Sequence, residues 1–226
     1  MTRPLINKLK GGFTISTRQR LAVALLVALC SGAACAQDKR FYAGAGVGAA
    51  GVKDPGNCAD AFDTNFPYSC TSKDSDVGWK IFGGYRVDEL LALEAAYVDL
   101  GKFKTSGTGV FSGIAGTTIN ATFQPTGLSF DVVGTLPVGN GFGLLGRIGV
   151  FRWTLYAPFT ASGGFGASSR AKPTGINVDF GVGGKFDFTG NMGARIEFQR
   201  FRRIGDNDTG KSDVNLISGS VIYRFD

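Results

Sequence analysis

VGWKIFGGYRVDELLALEAAYVDL, residues 77–100, decides how the rest of the chain is read. Val77, Trp79, Ile81, Gly83, Tyr85 and Val87 share one face of an extended chain, with Lys80 and Arg86 on the other. After Asp88 and Glu89 the phase resumes: Leu91, Leu93, Ala95 and Tyr97 fall together and Glu94 lies opposite. Side chains alternate across a strand, so two such runs joined by two residues read as a hairpin with one apolar face. LLALEAAYVDL is rich in helix formers, and propensity alone would make it helical. Its period of two and its strand neighbours make it a strand, because a helix there would leave strand edges unpaired.

The same zigzag recurs on both sides. A first runs from Phe41 to about Gly51, the second from Asp76 to Val87 and the third from Leu90 to Leu100. A fourth spans about Thr126 to Leu136, aligning Leu128, Phe130, Val132 and Leu136, and a fifth spans Phe142 to Trp153. The sixth, about Thr174 to Phe186, aligns Ile176, Val178, Phe180 and Val182. The seventh covers Met192 to about Arg203, and the eighth Ser212 to Phe225. Alternation over about ten residues is the mark of a strand crossing a membrane with one face to lipid.

The connections alternate in length. Val52–Ser75, Gly101–Gln124 and Thr154–Pro173 are long; Asp88-Glu89, PVGNG (137–141) and DFTGN (187–191) are short. IGDNDTGK, residues 204–211, joins the last two zigzags. Long loops on one side and tight turns on the other fit an outer-membrane barrel. Aromatics gather at the ends: Tyr42, Tyr85, Phe142, Phe186, Tyr223 and Phe225 on the turn side, Trp79, Tyr97 and Trp153 on the loop side. Such girdles mark the two membrane interfaces. The fold expected is all-β, an eight-stranded antiparallel transmembrane up-and-down barrel.

Residues 1–36 read as a signal peptide. Arg3, Lys8, Lys10, Arg18 and Arg20 precede the short apolar run LAVALLVAL (21–29), and Ala34-Cys35-Ala36 offers a cleavage site. The run is too short for a spanning helix, which needs about 20 residues. Cleavage before Gln37 leaves residues 37–226 as the barrel domain. Losing those five bases leaves 19 basic against 18 acidic residues, a net charge of +1. The basic character of the whole chain therefore gives no support to nucleic-acid binding. Cys58 and Cys70 remain as an even pair in an exported loop, which reads as a disulfide.

The face opposite the apolar one carries Lys80, Arg86, Glu94, Asp131, Arg147, Asp179, Lys185, Arg195, Glu197 and Arg224, separated by small residues. In a barrel this face points into the lumen, which in eight strands is just wide enough for side chains to fill. Opposite charges confined there are expected to pair into a polar plug. Removal of Glu94 is expected to leave a base uncompensated and open a water path. Lys102, Lys104, Arg170, Lys172, Arg200, Arg202 and Arg203 fall near the outer strand ends. Arg and Lys match phosphates, so this rim is expected to hold lipopolysaccharide.

Enzyme chemistry finds little footing. The chain has no histidine, which removes His-based triads, His-ligated metals and the commonest general base. Residues 46–51 fit G-x-G-x-x-G, but VKDPGNC follows where a dinucleotide fold needs a helix. Asp206-Asn207-Asp208-Thr209-Gly210 hints at a calcium loop and lacks the later bidentate Glu. No cofactor and no metal site is expected.

RFYAGAGVGAAG (40–51) resembles the first strand of OmpA-like and opacity-type barrels. VGWKIFGGYRVDELLALEAAYVDLGKF (77–103) is similar to that family's second hairpin, with Glu94 facing the lumen, and 128–153 to its third. SGSVIYRF (218–225) resembles the terminal strand read by the barrel-assembly machinery, with Tyr223 two before Phe225 as the assembly signal; Asp226 departs from the usual aromatic end. The resemblance implies a monomeric, non-enzymatic protein of the bacterial outer membrane, whose loops serve envelope integrity, adhesion or host interaction. A cell-wall-anchoring role is not expected, since the barrel takes up the whole mature chain. The alternative is a small OmpW-like channel for ions or apolar solutes.

Overall fold

A computed structural model describes residues 40–53, 62–63, 65–163, 166–206 and 210–225. The signal peptide and Cys58 lie outside the described residues. The strands are β1 (Phe41–Val52), β2 (Ser69–Lys73), β3 (Ser75–Arg86), β4 (Leu91–Asp99), β5 (Phe103–Phe111) and β6 (Ile114–Gly139). They continue with β7 (Phe142–Ser162), β8 (Ala167–Ala171), β9 (Thr174–Asp187), β10 (Met192–Ile204) and β11 (Ser212–Arg224). Among the described residues no helix is long and apolar enough to cross a membrane.

The order β1-β3-β4-β6-β7-β9-β10-β11 closes on itself through antiparallel pairs, the last joining β11 to β1. Every expected zigzag is one staple of this ring, including the helix-prone LLALEAAYVDL, which is β4. Closure leaves no edge to be satisfied in lipid, which is what lets strands cross at all. The pairing runs from Tyr42 to Gly84, Glu94, Asp131, Gly149, Asp179, Phe201 and Val214. It returns to β1 at Val52, ten residues beyond Tyr42. That stagger tilts the strands, by about 35–45° in barrels of this kind.

Alternation then sorts the side chains. Val47, Ile81, Leu93, Phe130, Val132, Leu144, Ile148, Val178, Val182, Ile196, Ile217 and Val221 are exposed on the outer wall, the face that meets hydrocarbon. Ring pairs sit at its two borders. Phe41 meets Tyr85 at 4.9 Å and Phe142 meets Phe186 at 4.5 Å on the turn side; Trp79 meets Tyr97 at 5.5 Å on the loop side. Tyr42 and Trp153 depart from the expected girdle. Both are buried, because their parity on β1 and β7 turns them inward.

The long connections are not plain loops, contrary to the reading of 101–124 and 154–173 as long loops. β6 and β7 run on past the barrel and keep their pairing as far as Thr118 opposite Ser162. β5 pairs with β6, β2 with β5, and β8 with β7, so the sheet β2-β5-β6-β7-β8 rises above the loop side. One of its faces has a small core of its own, Phe62, Ile119 and Ala161, with Phe111, Phe159 and Ala167 packed against it. Phe62 and Tyr68 of the first loop stack at 6.3 Å over that face. Cys70 on β2 is disulfide-bonded.

Candidate functional site

The lumen is filled in layers. Glycines make the space for its middle layer: a Cβ on Gly149 would strike Asp131, one on Gly181 would crowd the Arg147 stem, and one on Gly183 would crowd Glu197. Into that space β3, β4, β6, β7, β9 and β10 project Lys80, Glu94, Asp131, Arg147, Asp179, Arg195 and Glu197, all buried.

Arg147 is the hub. Its Nη2 lies 2.6 Å from Asp131 and 2.9 Å from Glu94, and its Nη1 donates to Glu197 at 2.9 Å. Arg195 grips Glu94 with both terminal nitrogens, at 2.9 and 3.2 Å, and its Nε lies 2.9 Å from Glu197. Lys80 donates to Glu197 at 2.6 Å, and the Tyr42 hydroxyl donates to Glu94 at 3.1 Å. The Arg195 guanidinium also lies over the Phe82 ring, 4.4 Å from its centre. Asp179 joins through neutral groups, accepting from Gln199 at 2.8 Å and from Ser129 at 3.4 Å. Ser129 also donates to Asp131. Buried charges are tolerable only when paired and hydrogen-bonded in this way.

Arg86 and Lys185 stand apart from this cluster. They line a vestibule at the turn end with Arg224 and Asp88. There Lys185 meets Asp187 at 3.3 Å, and Arg224 meets the same carboxylate.

The outer layer was not read from sequence. Val98, Leu100, Phe151, Trp153, Leu155, Phe201, Ile204, Val214 and Leu216 are buried in one apolar cluster at the loop end of the bore. Phe151 and Phe201 meet ring to ring at 4.6 Å. Trp153 satisfies its indole N–H by donating to Asn177 at 2.7 Å. The signal was present in the parity of Phe151, Trp153 and Leu155, in phase with the lumen-facing Arg147. It is obscured because the face opposite the apolar one reads from sequence as charged and small, which leaves these large apolar residues out of the expected plug.

Six of the seven rim cations form two groups of three, and Lys102 stands apart. Arg200 and Arg202 converge on Asp213, at 3.2 and 3.4 Å, and the Arg203 backbone N–H donates to the same carboxylate at 2.9 Å. Lys104, Arg170 and Lys172 are exposed on the loop sheet and its border, with Lys172 over the Tyr156 ring at 5.5 Å. Lys102 is exposed between them and β3, its backbone N–H donating to Asp76 at 2.8 Å. Arg152 belongs with these cations and was missed. It is exposed on β7, in phase with lipid-facing Val150. At the other end Tyr223 and Phe225 point outward, 5.2 Å apart.

Residues 36–226 match the model of the OmpA-like transmembrane domain. The chain is similar to Outer membrane protein A of Shigella flexneri, 27% identical over 214 residues, 92% of this chain and 56% of that protein. It is similar to Outer membrane protein A of Yersinia pseudotuberculosis, 28% identical over 213 residues, covering 92% and 56%. The chain thus spans about half the length of these relatives. Among solved structures it resembles Neisserial surface protein A, with a TM-score of 0.45 at 15% identity, covering 82% of this chain and 97% of that one.

Proposed function

The chain belongs to the OmpA-like transmembrane domain family and is a barrel of the bacterial outer membrane, and we propose that it works there without catalysis, as a closed anchor that carries a folded loop sheet at the cell surface. Its business is then envelope integrity, adhesion or host interaction, done by the loops rather than by transport. The observation that carries this reading is the filled bore: a salt-bridged layer around Arg147 stacked beneath an apolar layer around Phe151 and Phe201. Planar-bilayer recording tests it. The protein should give no steady, sizeable conductance; a steady conductance would favour the OmpW-like channel instead. Absence of histidine favours a non-enzymatic role. Mass spectrometry of lipid A from cells with and without the protein should show no difference.

The basic rim supports a second part of the reading, that lipopolysaccharide packs against the outer border. Arg200, Arg202 and Arg203 present more positive charge than the one Asp213 they share, and Arg suits phosphate. Replacing all three with Gln should reduce lipopolysaccharide co-purification; unchanged co-purification would make the rim a solvated surface. Residues 1–36 are then the removed signal peptide, with Gln37 at the mature N-terminus, and Tyr223 and Phe225 the groups met by the assembly machinery. Peptide sequencing of the mature protein checks the first assignment.

A further inference from the structure

We propose that the outward face of the loop sheet binds the saccharide of the lipopolysaccharide surrounding the barrel, a reading that rests on the outer-membrane placement and extends the phosphate-binding rim. β6 and β7 keep one register from Leu136 opposite Leu144 up to Thr118 opposite Ser162. The side that meets lipid at Val132, Phe130 and Leu128 therefore continues upward, without a change of phase, as Gln124, Thr122, Asn120 and Thr118. On β7 the same side passes from Ile148 and Val150 to Arg152 and Tyr156, and then to Thr160 and Ser162. The reverse side of these strands is covered, since Ile119 and Ala161 are buried with Phe62. What the outward side meets is whatever stands beside the barrel above the hydrocarbon.

The chemistry of that side changes in steps. Paired residues lie side by side on one face. Just above the lipid border Lys104 stands opposite Thr122, and Arg170 opposite Pro158. Farther out Asn120 stands opposite Ser106 and Thr160, Ser106 opposite Thr71, and Thr160 opposite Ser168. The outermost row holds Ser69, Thr108, Thr118 and Ser162. Among the described residues these rows carry no Asp or Glu. Across the sheet the outward face passes from apolar to cationic to hydroxyl and amide, the cations Lys104, Arg152 and Arg170 standing on β5, β7 and β8. Lipopolysaccharide has the matching order of acyl chains, phosphates and sugars. From Leu128 to Thr118 the strand advances roughly 33 Å at about 3.3 Å per residue, so even when tilted it stands well into the sugar layer. Serine, threonine and asparagine supply both donors and acceptors, as sugar hydroxyls require, and the cations beneath suit an anionic saccharide.

The folded full chain in detergent micelles is titrated with two probes, lipopolysaccharide bearing a complete core oligosaccharide and lipid A alone. The unmodified protein should bind the first about tenfold tighter. Thr71→Val, Asn120→Val and Thr160→Val together should remove that difference and leave lipid A binding unchanged. Asn120→Asp with Thr160→Glu, which keeps the surface polar, should also remove it by repelling the anionic saccharide. Lys104→Gln, Arg170→Gln and Lys172→Gln should weaken both probes. Resistance of the barrel to SDS at room temperature verifies that each variant is folded. The proposal is overturned if the unmodified protein binds both probes equally, or if the folded valine variant keeps its preference. Glutamine variants that bind both probes like the parent would instead remove the phosphate rim, while a sugar preference lost in the valine variant would still support the face.

Discussion

Arg147 lies within 2.9 Å of Glu94 and Glu197 and within 2.6 Å of Asp131, so replacing it with Met strands several buried carboxylates at once. Breaking one side of a buried ion pair costs about 3–5 kcal/mol, and Arg147→Met should reach or exceed that in urea unfolding from lipid vesicles. Asp179→Asn should cost only about 1 kcal/mol, because both its partners are neutral: asparagine keeps the oxygen that accepts from Gln199 and gives up the longer contact from Ser129. Equal losses in the two variants would show that the cluster does not discriminate between charged and neutral contacts. The charged members of the lumen were legible from parity alone, since Lys80, Glu94, Asp131, Arg147, Arg195 and Glu197 are all out of phase with the apolar face. Their pairing was not. Lys80 meets a carboxylate 117 residues away, and only the ten-residue stagger of the closed ring decides which base stands over which acid.

The strand ends within the membrane were legible because lipid enforces alternation, and β1, β3, β9, β10 and β11 lie within two residues of their expected bounds. The extensions of β6 and β7 were not. Beyond Thr126 the outer face no longer meets hydrocarbon, so the apolar phase disappears even though Thr117, Thr118 and Thr122 retain good strand propensity. The tight turn between these two long strands was legible as PVGNG. Asn140 and Gly141 both have positive φ, 51° and 81°, as a two-residue hairpin turn requires. Gly141→Ala should destabilise the barrel by about 1 kcal/mol or more, since the added Cβ would also lie 2.8 Å from the Asp187 carbonyl. Asn140→Gly should be tolerated; comparable losses in both would point away from backbone strain. On the loop side, Cys70→Ser should speed proteolysis within residues 53–69 and leave barrel stability unchanged. With Cys58 as its proposed partner, the bond would close a short loop and be worth roughly 3 kcal/mol locally. Loss of membrane insertion instead would mean the bond supports the barrel itself.

Conductance is a property of the whole bore, and the two layers resist it for different reasons. The middle layer blocks by occupancy: long charged side chains are held across the lumen by the bonds around Arg147 and Arg195. The outer layer blocks by exclusion, because a packed cluster of Phe151, Trp153, Leu155, Phe201 and Leu216 gives water no polar partner, and apolar spaces of this kind stay dry. An ion entering such a layer faces a desolvation cost of order 20 kcal/mol in the idealised limit. The layers act in series, so either one suffices to seal. The sequence-based expectation that loss of Glu94 opens a water path considered only the charged layer. With the apolar layer above it, Glu94→Ala alone should remain silent in planar bilayers although it loosens the network. Phe151→Ala with Phe201→Ala should also remain silent, at a stability cost of about 3–5 kcal/mol for each ring, because the charged layer still fills the bore. Only the triple combination, confirmed as folded by its resistance to SDS, should conduct steadily. Steady current from Glu94→Ala alone would make the charge cluster the sole barrier, and current from the phenylalanine pair alone would assign that part to the apolar layer.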